Sequence, residues 1–210
     1  MLPTTSFRTC AASSQSRLRV KGSLFLALLE PCPGRVAAEH RLAALREQYR
    51  DATHLCWTWR LLSEQKPGEA SSDAGEPAGS AGVPMLGVLR SHELWNVLGV
   101  VMRWFGGKRL GRGGLVRAYR QSLSLAAAEA TIIEAVPRIE AVIRSPLSRV
   151  GDLHRVLSAL DVTYVDEAVD DGEVWMTVSL PARDMQRLCE QVASATQGQG
   201  SISAEEKGSG

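Results

Sequence analysis

No apolar run in this chain of 210 residues approaches the ~18 residues of a membrane span, and no apolar core of a secretion signal opens it. Cysteine is scarce, and Cys10, Cys32, Cys56 and Cys189 lie far apart with no C-x-x-C pair. That spacing argues against a zinc site and a disulfide scaffold and favours a reducing cytosol, so a cytoplasmic setting is expected. Excess charge of one sign is missing too. The 24 Lys and Arg against 23 Asp and Glu leave a net charge of +1, so any basic patch must be local. No spacing among the four histidines and four cysteines sets a nucleophile beside a base. No catalytic residue, metal or cofactor is therefore assigned, and the reading leans towards a protein that is not an enzyme.

What the chain does have is one concentrated stretch, Met102 to Tyr119, reading MRWFGGKRLGRGGLVRAY. It joins a continuous apolar run to a helical one. Gly106, Gly107, Gly111, Gly113 and Gly114 put five glycines into nine residues, which predicts a fixed loop shape. Arg103, Lys108, Arg109, Arg112, Arg117 and Arg120 fall in or beside it, with no acid between 103 and 120. The loop feeds a helix N-terminus, whose unpaired amides and dipole favour anions. Two readings stand side by side. In one, Arg103, Lys108, Arg109, Arg112 and Arg117 meet phosphates while Trp104 or Phe105 stacks on bases. In the other, the glycines only turn the chain, the arginines keep it soluble and the aromatics pack inward. Two sharper motifs are excluded. A P-loop fails at Met102 and Arg109, and the dinucleotide fingerprint fails at Val116.

Along the chain, residues 1–18 are basic, Ser- and Thr-rich and free of acid, which predicts a disordered start; a targeting segment shares that composition. Val20 to Leu29 reads as a strand. Ala38, Leu42, Leu45 and Tyr49 share a helix face, and His54 to Leu62 alternates as a second strand. Glu64 to Ser71 reads as a loop tip and Met85 to His92 as a short helix. Trp95 to Met102 is the expected central strand, followed by a helix over Leu115 to Ala130, with the helices expected on one face of the sheet. A second domain is predicted beyond Pro137. Its order is strand (Ile139, Ala141, Ile143), helix (Val150, Leu153, Leu157, Leu160), two strands around Asp170-Asp171-Gly172, helix (Met185, Leu188, Cys189, Val192) and a last short strand. The predicted divisions are a disordered 1–18, domains over 19–136 and 137–203, and a disordered tail over 204–210.

Four segments carry a family resemblance in the same order. They are Lys21-Gly22-Ser23-Leu24-Phe25, Asp51-Ala52-Thr53-His54-Leu55-Cys56, Ser72-Asp73-Ala74-Gly75-Glu76-Pro77-Ala78-Gly79-Ser80-Ala81-Gly82, and the glycine-rich basic stretch itself. Together they resemble the YigZ/IMPACT family, with Leu24 where arginine is usual and Ala74 in place of a second aspartate. The resemblance implies an α+β fold. Its first part is a β/α sandwich like a small-subunit ribosomal protein domain and domain four of elongation factor G. Its second is a ferredoxin-like β-α-β-β-α-β domain similar to domain five of that factor. It also implies a link to translation, because eukaryotic IMPACT proteins regulate a translation-initiation kinase by competing for its activator protein, using an additional domain.

Three functions follow for testing. The first is a non-enzymatic binding protein contacting RNA, the ribosome or a ribosome-associated partner through residues 103–120. The second is a protein–protein module without nucleic acid, and the third a hydrolase built on Asp73, Glu76 and His54. For His54 the alternative to chemistry is a satisfied histidine at a strand start. For Asp73 and Glu76, a metal or basic partner is set against turn chemistry.

Overall fold

The structure, a computed structural model, describes residues 6–62 and 68–204. The expected disorder over residues 1–5 and 205–210, and the loop tip over 63–67, lie outside the described residues. The chain divides into two compact units, Phe7–Ala135 and Val136 onward. No helix among the described residues is long and apolar enough to cross a membrane.

The first unit runs β1 (Phe7–Cys10), β2 (Ser14–Val20), β3 (Ser23–Pro31), α1 (Arg35–Gln48), β4 (His54–Leu61), β5 (Gly68–Ser72), α2 (Gly82–Ser91), β6 (Val97–Trp104), α3 (Arg112–Glu129) and β7 (Ile132–Ala135). Five strands form one antiparallel sheet in the order β2-β3-β6-β4-β5, and β1 pairs with β7. β6 sits at the centre because it is apolar on both faces, from Val97 to Met102, and each face needs a cover. Phe25, Ala27, Leu29, Cys56, Val97 and Val101 pack beneath α2 and α3. Leu26, Leu28, Leu98, Val100 and Met102 pack beneath Ala38, Leu42 and Leu45 of α1. Helices therefore cover both faces, not the single face that the sequence suggested.

The start of the chain departs most from expectation. Residues 7–18 are not disordered, since β1 and most of β2 lie there. Their polar composition hid a strand whose Ser14 and Ser16 hydroxyls donate to the Ala126 and Ser122 carbonyls of α3, both at 2.8 Å. Val20 ends β2 rather than opening β3. Lys21 and Gly22 turn the chain with φ of 48° and 85°, the paired positive values of a two-residue hairpin. Residues 68–71, read as loop tip, belong to the edge strand β5, which pairs with β4 from Trp57 to Leu61.

The second unit runs β8 (Arg138–Pro146), α4 (Val150–Ser158), β9 (Thr163–Asp170), β10 (Glu173–Pro181), α5 (Met185–Ala195) and β11 (Ser201–Ala204). Its antiparallel sheet has the order β11-β8-β10-β9, the ferredoxin-like arrangement. Ala141, Ile143, Val174, Met176, Val178 and Leu180 pack against Leu153, Leu157, Leu188 and Val192. Two expectations fail in this unit. Cys189 is exposed, one step past the buried Leu188 on α5, and Ala204 ends a strand instead of starting a tail.

Candidate functional site

Strand β6, at the centre of the sheet, delivers its last residues to the end of the strands, and the loop over residues 105–111 carries the chain back to α3. Alternation along β6 sends Val101 and Arg103 beneath α3 and sends Met102 and Trp104 to the opposite face. Arg103 is only 5% exposed. Its guanidinium lies 5.5 Å from the centroids of both Phe25 and Phe105 and donates to Glu76 Oε1 at 2.6 Å. Arg103 is therefore a buried structural cation and not one of the solvent-facing anion ligands that the sequence suggested. Its parity on β6 turns Arg103 to the α3 side of the sheet, where Glu76 pairs with it.

Glu76 accepts a second hydrogen bond from the Tyr119 hydroxyl at 2.7 Å, and its carboxylate lies 4.0 Å from His54 Nε2. The other His54 nitrogen, Nδ1, sits 2.9 Å from the Ala74 carbonyl, so it carries the proton and donates. The Cys56 thiol donates to the Asp73 carbonyl at 3.0 Å. Burial, countered partly by Tyr119, pushes that thiol up to about 12, so Cys56 is no nucleophile near neutral pH. The Asp73 carboxylate accepts backbone N–H groups from Gly79 at 2.7 Å, Ala81 at 2.8 Å and Gly82 at 2.9 Å. Partial burial pushes the Asp73 carboxyl up. The three amides and the Arg112 charge together outweigh that effect and hold it below its ordinary value. Asp73 thus organises the entry to α2. No cluster of metal ligands forms among the described residues.

Sequence reading placed His54, Asp73 and Glu76 in one family pattern, and the structure brings them together. It missed Tyr119, Ser23 and the Arg103–Glu76 pair. Tyr119 looked like one more inward helical residue, and nothing local marks a carboxylate 27 positions before its arginine.

The remaining cations face solvent. Lys108, Arg109, Arg117 and Arg120 are exposed and make no ion pair among the described residues. Arg112 is exposed but anchored, donating to the Ala78 carbonyl at 3.0 Å. They lie on the loop and the first turns of α3, where Gly111 supplies no side-chain cap and the first turn holds no acid. Phe105 stands 48% exposed at the loop's entry. Trp104 is held instead, donating its indole N–H to Asp51 at 2.8 Å with its ring edge-on to Tyr49.

The glycines divide by role. A Cβ on Gly106 would lie 1.9 Å from the Gly22 carbonyl carbon, so the loop presses backbone to backbone on the β2–β3 turn. Gly107 and Gly111 take φ of 82° and 73°, where a side chain strains the backbone. A Cβ on Gly114 would come 3.0 Å from Leu110, and one on Gly113 would meet only ordinary contacts.

The profile of the Impact N-terminal domain matches residues 21–127, about half of the chain and every residue of this cluster. This chain belongs to the IMPACT family. The IMPACT family member YigZ of Escherichia coli is 29% identical over 180 residues, spanning 85% of this chain and 88% of that protein. The IMPACT family member YvyE of Bacillus subtilis is 35% identical over 119 residues, 57% of this chain, and the match spans only 54% of YvyE's own length. A crystal structure described as that of a hypothetical protein superposes with a TM-score of 0.73 at 28% identity, covering 99% of this chain and 100% of that one.

Within the IMPACT pattern, the two departures now have positions. Leu24 pairs in register with Trp104 at the end of the sheet. Ala74 sits at φ 46°, a left-handed conformation that aspartate tolerates better than alanine does. A turn requirement is enough to account for an aspartate at that position elsewhere in the family.

Proposed function

We propose that this IMPACT-family protein is a non-enzymatic binding protein, acting in the cytoplasm in translation or its regulation, that contacts RNA or ribosomal RNA through the loop 105–111 and the first turns of α3. One observation carries the reading. Lys108, Arg109, Arg117 and Arg120 stand exposed and without ion pairs among the described residues, on the loop and the first turns of a helix whose first amides have no side-chain acceptor, and the ring of Phe105 is exposed on the same loop. Cations and amides on one surface suit phosphates, and an exposed ring suits a base. The carboxylates that a hydrolase would need are already taken, Asp73 by three amides and Glu76 by Arg103 and Tyr119.

The test is binding of labelled single- and double-stranded RNA across a salt series, repeated with Lys108, Arg109 and Arg112 all changed to Glu. Binding that weakens with salt and vanishes in the variant supports phosphate contact at this loop. Absence of binding at low salt removes RNA as the partner and leaves the protein–protein reading of the same surface.

A further inference from the structure

We propose that Glu76 is a positioning residue for the basic loop, clamping both of its stems and so setting where Lys108, Arg109 and Arg112 meet a polyanion. The inference rests on the binding reading above.

The clamp is continuous. On the strand side, Glu76 Oε1 holds Arg103 Nη1 at 2.6 Å, and Arg103 Nη2 reaches the Ser23 hydroxyl at 3.4 Å. The same hydroxyl accepts the backbone N–H of Gly106 at 3.1 Å, the residue whose backbone presses on Gly22. On the helix side, the same Glu76 oxygen accepts the Tyr119 hydroxyl, two turns into α3. One carboxylate oxygen therefore joins the end of β6 to α3 beneath the loop that connects them. The segment bearing Glu76 also supplies the Ala78 carbonyl that anchors Arg112. Fixing both stems lowers the ordering cost that the loop meets on binding, which is how a buried group strengthens a contact it never touches.

Charge alone predicts the opposite. Glu76 is an anion close to a cationic surface, so neutralising it should tighten binding to RNA if only electrostatics counted. As a clamp, its neutralisation weakens binding. Glu76→Gln and Ser23→Ala, each in the full chain, are measured against a labelled single-stranded RNA over a salt series, with exchange of the Gly106 amide followed without RNA. Near-ultraviolet circular dichroism confirms folding. The expected result for each is faster Gly106 exchange and affinity about fivefold weaker, equivalent to ~1 kcal/mol, with the salt slope unchanged because no phosphate contact is removed.

A folded Glu76→Gln protein with equal or tighter binding, or with Gly106 exchange unaltered, overturns the clamp. Should Glu76→Gln fail to fold, Ser23→Ala decides alone on affinity, since it leaves the buried ion pair in place while removing the acceptor of the Gly106 amide; wild-type affinity there overturns the proposal. Failure of the binding reading has a different signature, in which Gly106 exchange quickens while neither the parent nor the variants bind RNA.

Discussion

Three glycines within eight residues of the loop should respond to alanine in three different ways, and their order tests the loop geometry directly. At Gly106 the added methyl lies 1.9 Å from the Gly22 carbonyl carbon, 2.2 Å from its oxygen and 2.3 Å from the Ser23 nitrogen. All three are backbone atoms, so no rotamer change relieves the clash and the two turns must separate. Overpacking of this kind costs about 1–3 kcal/mol. Separation also breaks the bond from the Gly106 amide to the Ser23 hydroxyl, adding roughly 1–3 kcal/mol for a partly buried group left unpaired. Gly106→Ala should therefore lose about 2–6 kcal/mol. Gly107 has open space but φ of 82°, and alanine there should cost about 1–2 kcal/mol of left-handed strain. Gly113 lies in the first turn of α3 with ordinary contacts, and alanine there should stabilise by about 0.5 kcal/mol. Urea unfolding followed by tryptophan fluorescence reads these differences, because Trp57, Trp59, Trp95 and Trp104 all lie in the first unit. A Gly106→Ala midpoint close to that of the parent, or a Gly113→Ala protein as destabilised as Gly106→Ala, would refute the close approach of the two turns.

Thiol reactivity offers an independent check on the core. Burial raises Cys56 to about 12 and Cys10 to about 11, and raises Cys32 as well, while Cys189 is exposed. One thiol per native chain should react rapidly with a disulfide reagent at pH 8, and Cys189→Ser should abolish that fast phase. The depressed Asp73 carboxyl gives a pH dependence with a definite sign. Its stabilisation is complete above the unfolded value of about 4 and is lost as pH falls through the lower folded value. Asp73→Asn should flatten the acid limb of first-unit stability, and Asp73→Ala should cost about 1–3 kcal/mol by leaving the amides at the start of α2 without their acceptor. If single-stranded RNA meets only Lys108, Arg109, Arg112, Arg117 and Arg120, the log–log salt slope should be no steeper than about −3.5. A steeper slope would place phosphate contacts outside this loop.

Much of the architecture can be read in local pattern. Both faces of α1 and α4, the continuous apolar β6 and the Asp170-Asp171-Gly172 turn each declare themselves within a few residues, because each depends on periodicity or on turn chemistry. Asp171 and Gly172 do take the paired positive φ values, 45° and 75°, of a two-residue hairpin. The elements that escaped reading are those whose reason lies far away in the chain. β2 looks like a polar tail until Ser14 and Ser16 find carbonyls more than a hundred positions on. β5, Gly-Glu-Ala-Ser-Ser, has neither bulk nor β-branching, and it is a strand because β4 offers an edge and because Glu69 pairs with Arg60 and Arg90 across it. Arg103 turns inward for a reason of the same kind. Its charge was visible, but the parity that turns it inward beside Val101 gains meaning only once Glu76 is known to wait there.

The near-zero net charge of the chain conceals a division that bears on the binding reading. Up to Ala135, Lys and Arg outnumber Asp and Glu by 17 to 11, whereas from Val136 onward acids outnumber bases by 12 to 7. The second unit has no Lys, Arg or His at all between residues 156 and 182, a span that includes all of β9 and β10. Every residue of the edge strand β9 is exposed, and Asp166 and Asp170 lie on it without a cationic partner among the described residues. A polyanion approaching that strand is repelled, so on charge alone the ferredoxin-like sheet, a shape often associated with RNA, is the less suitable half of this molecule for phosphate contacts. Fold likeness alone would have pointed to both units. The charges point to the first.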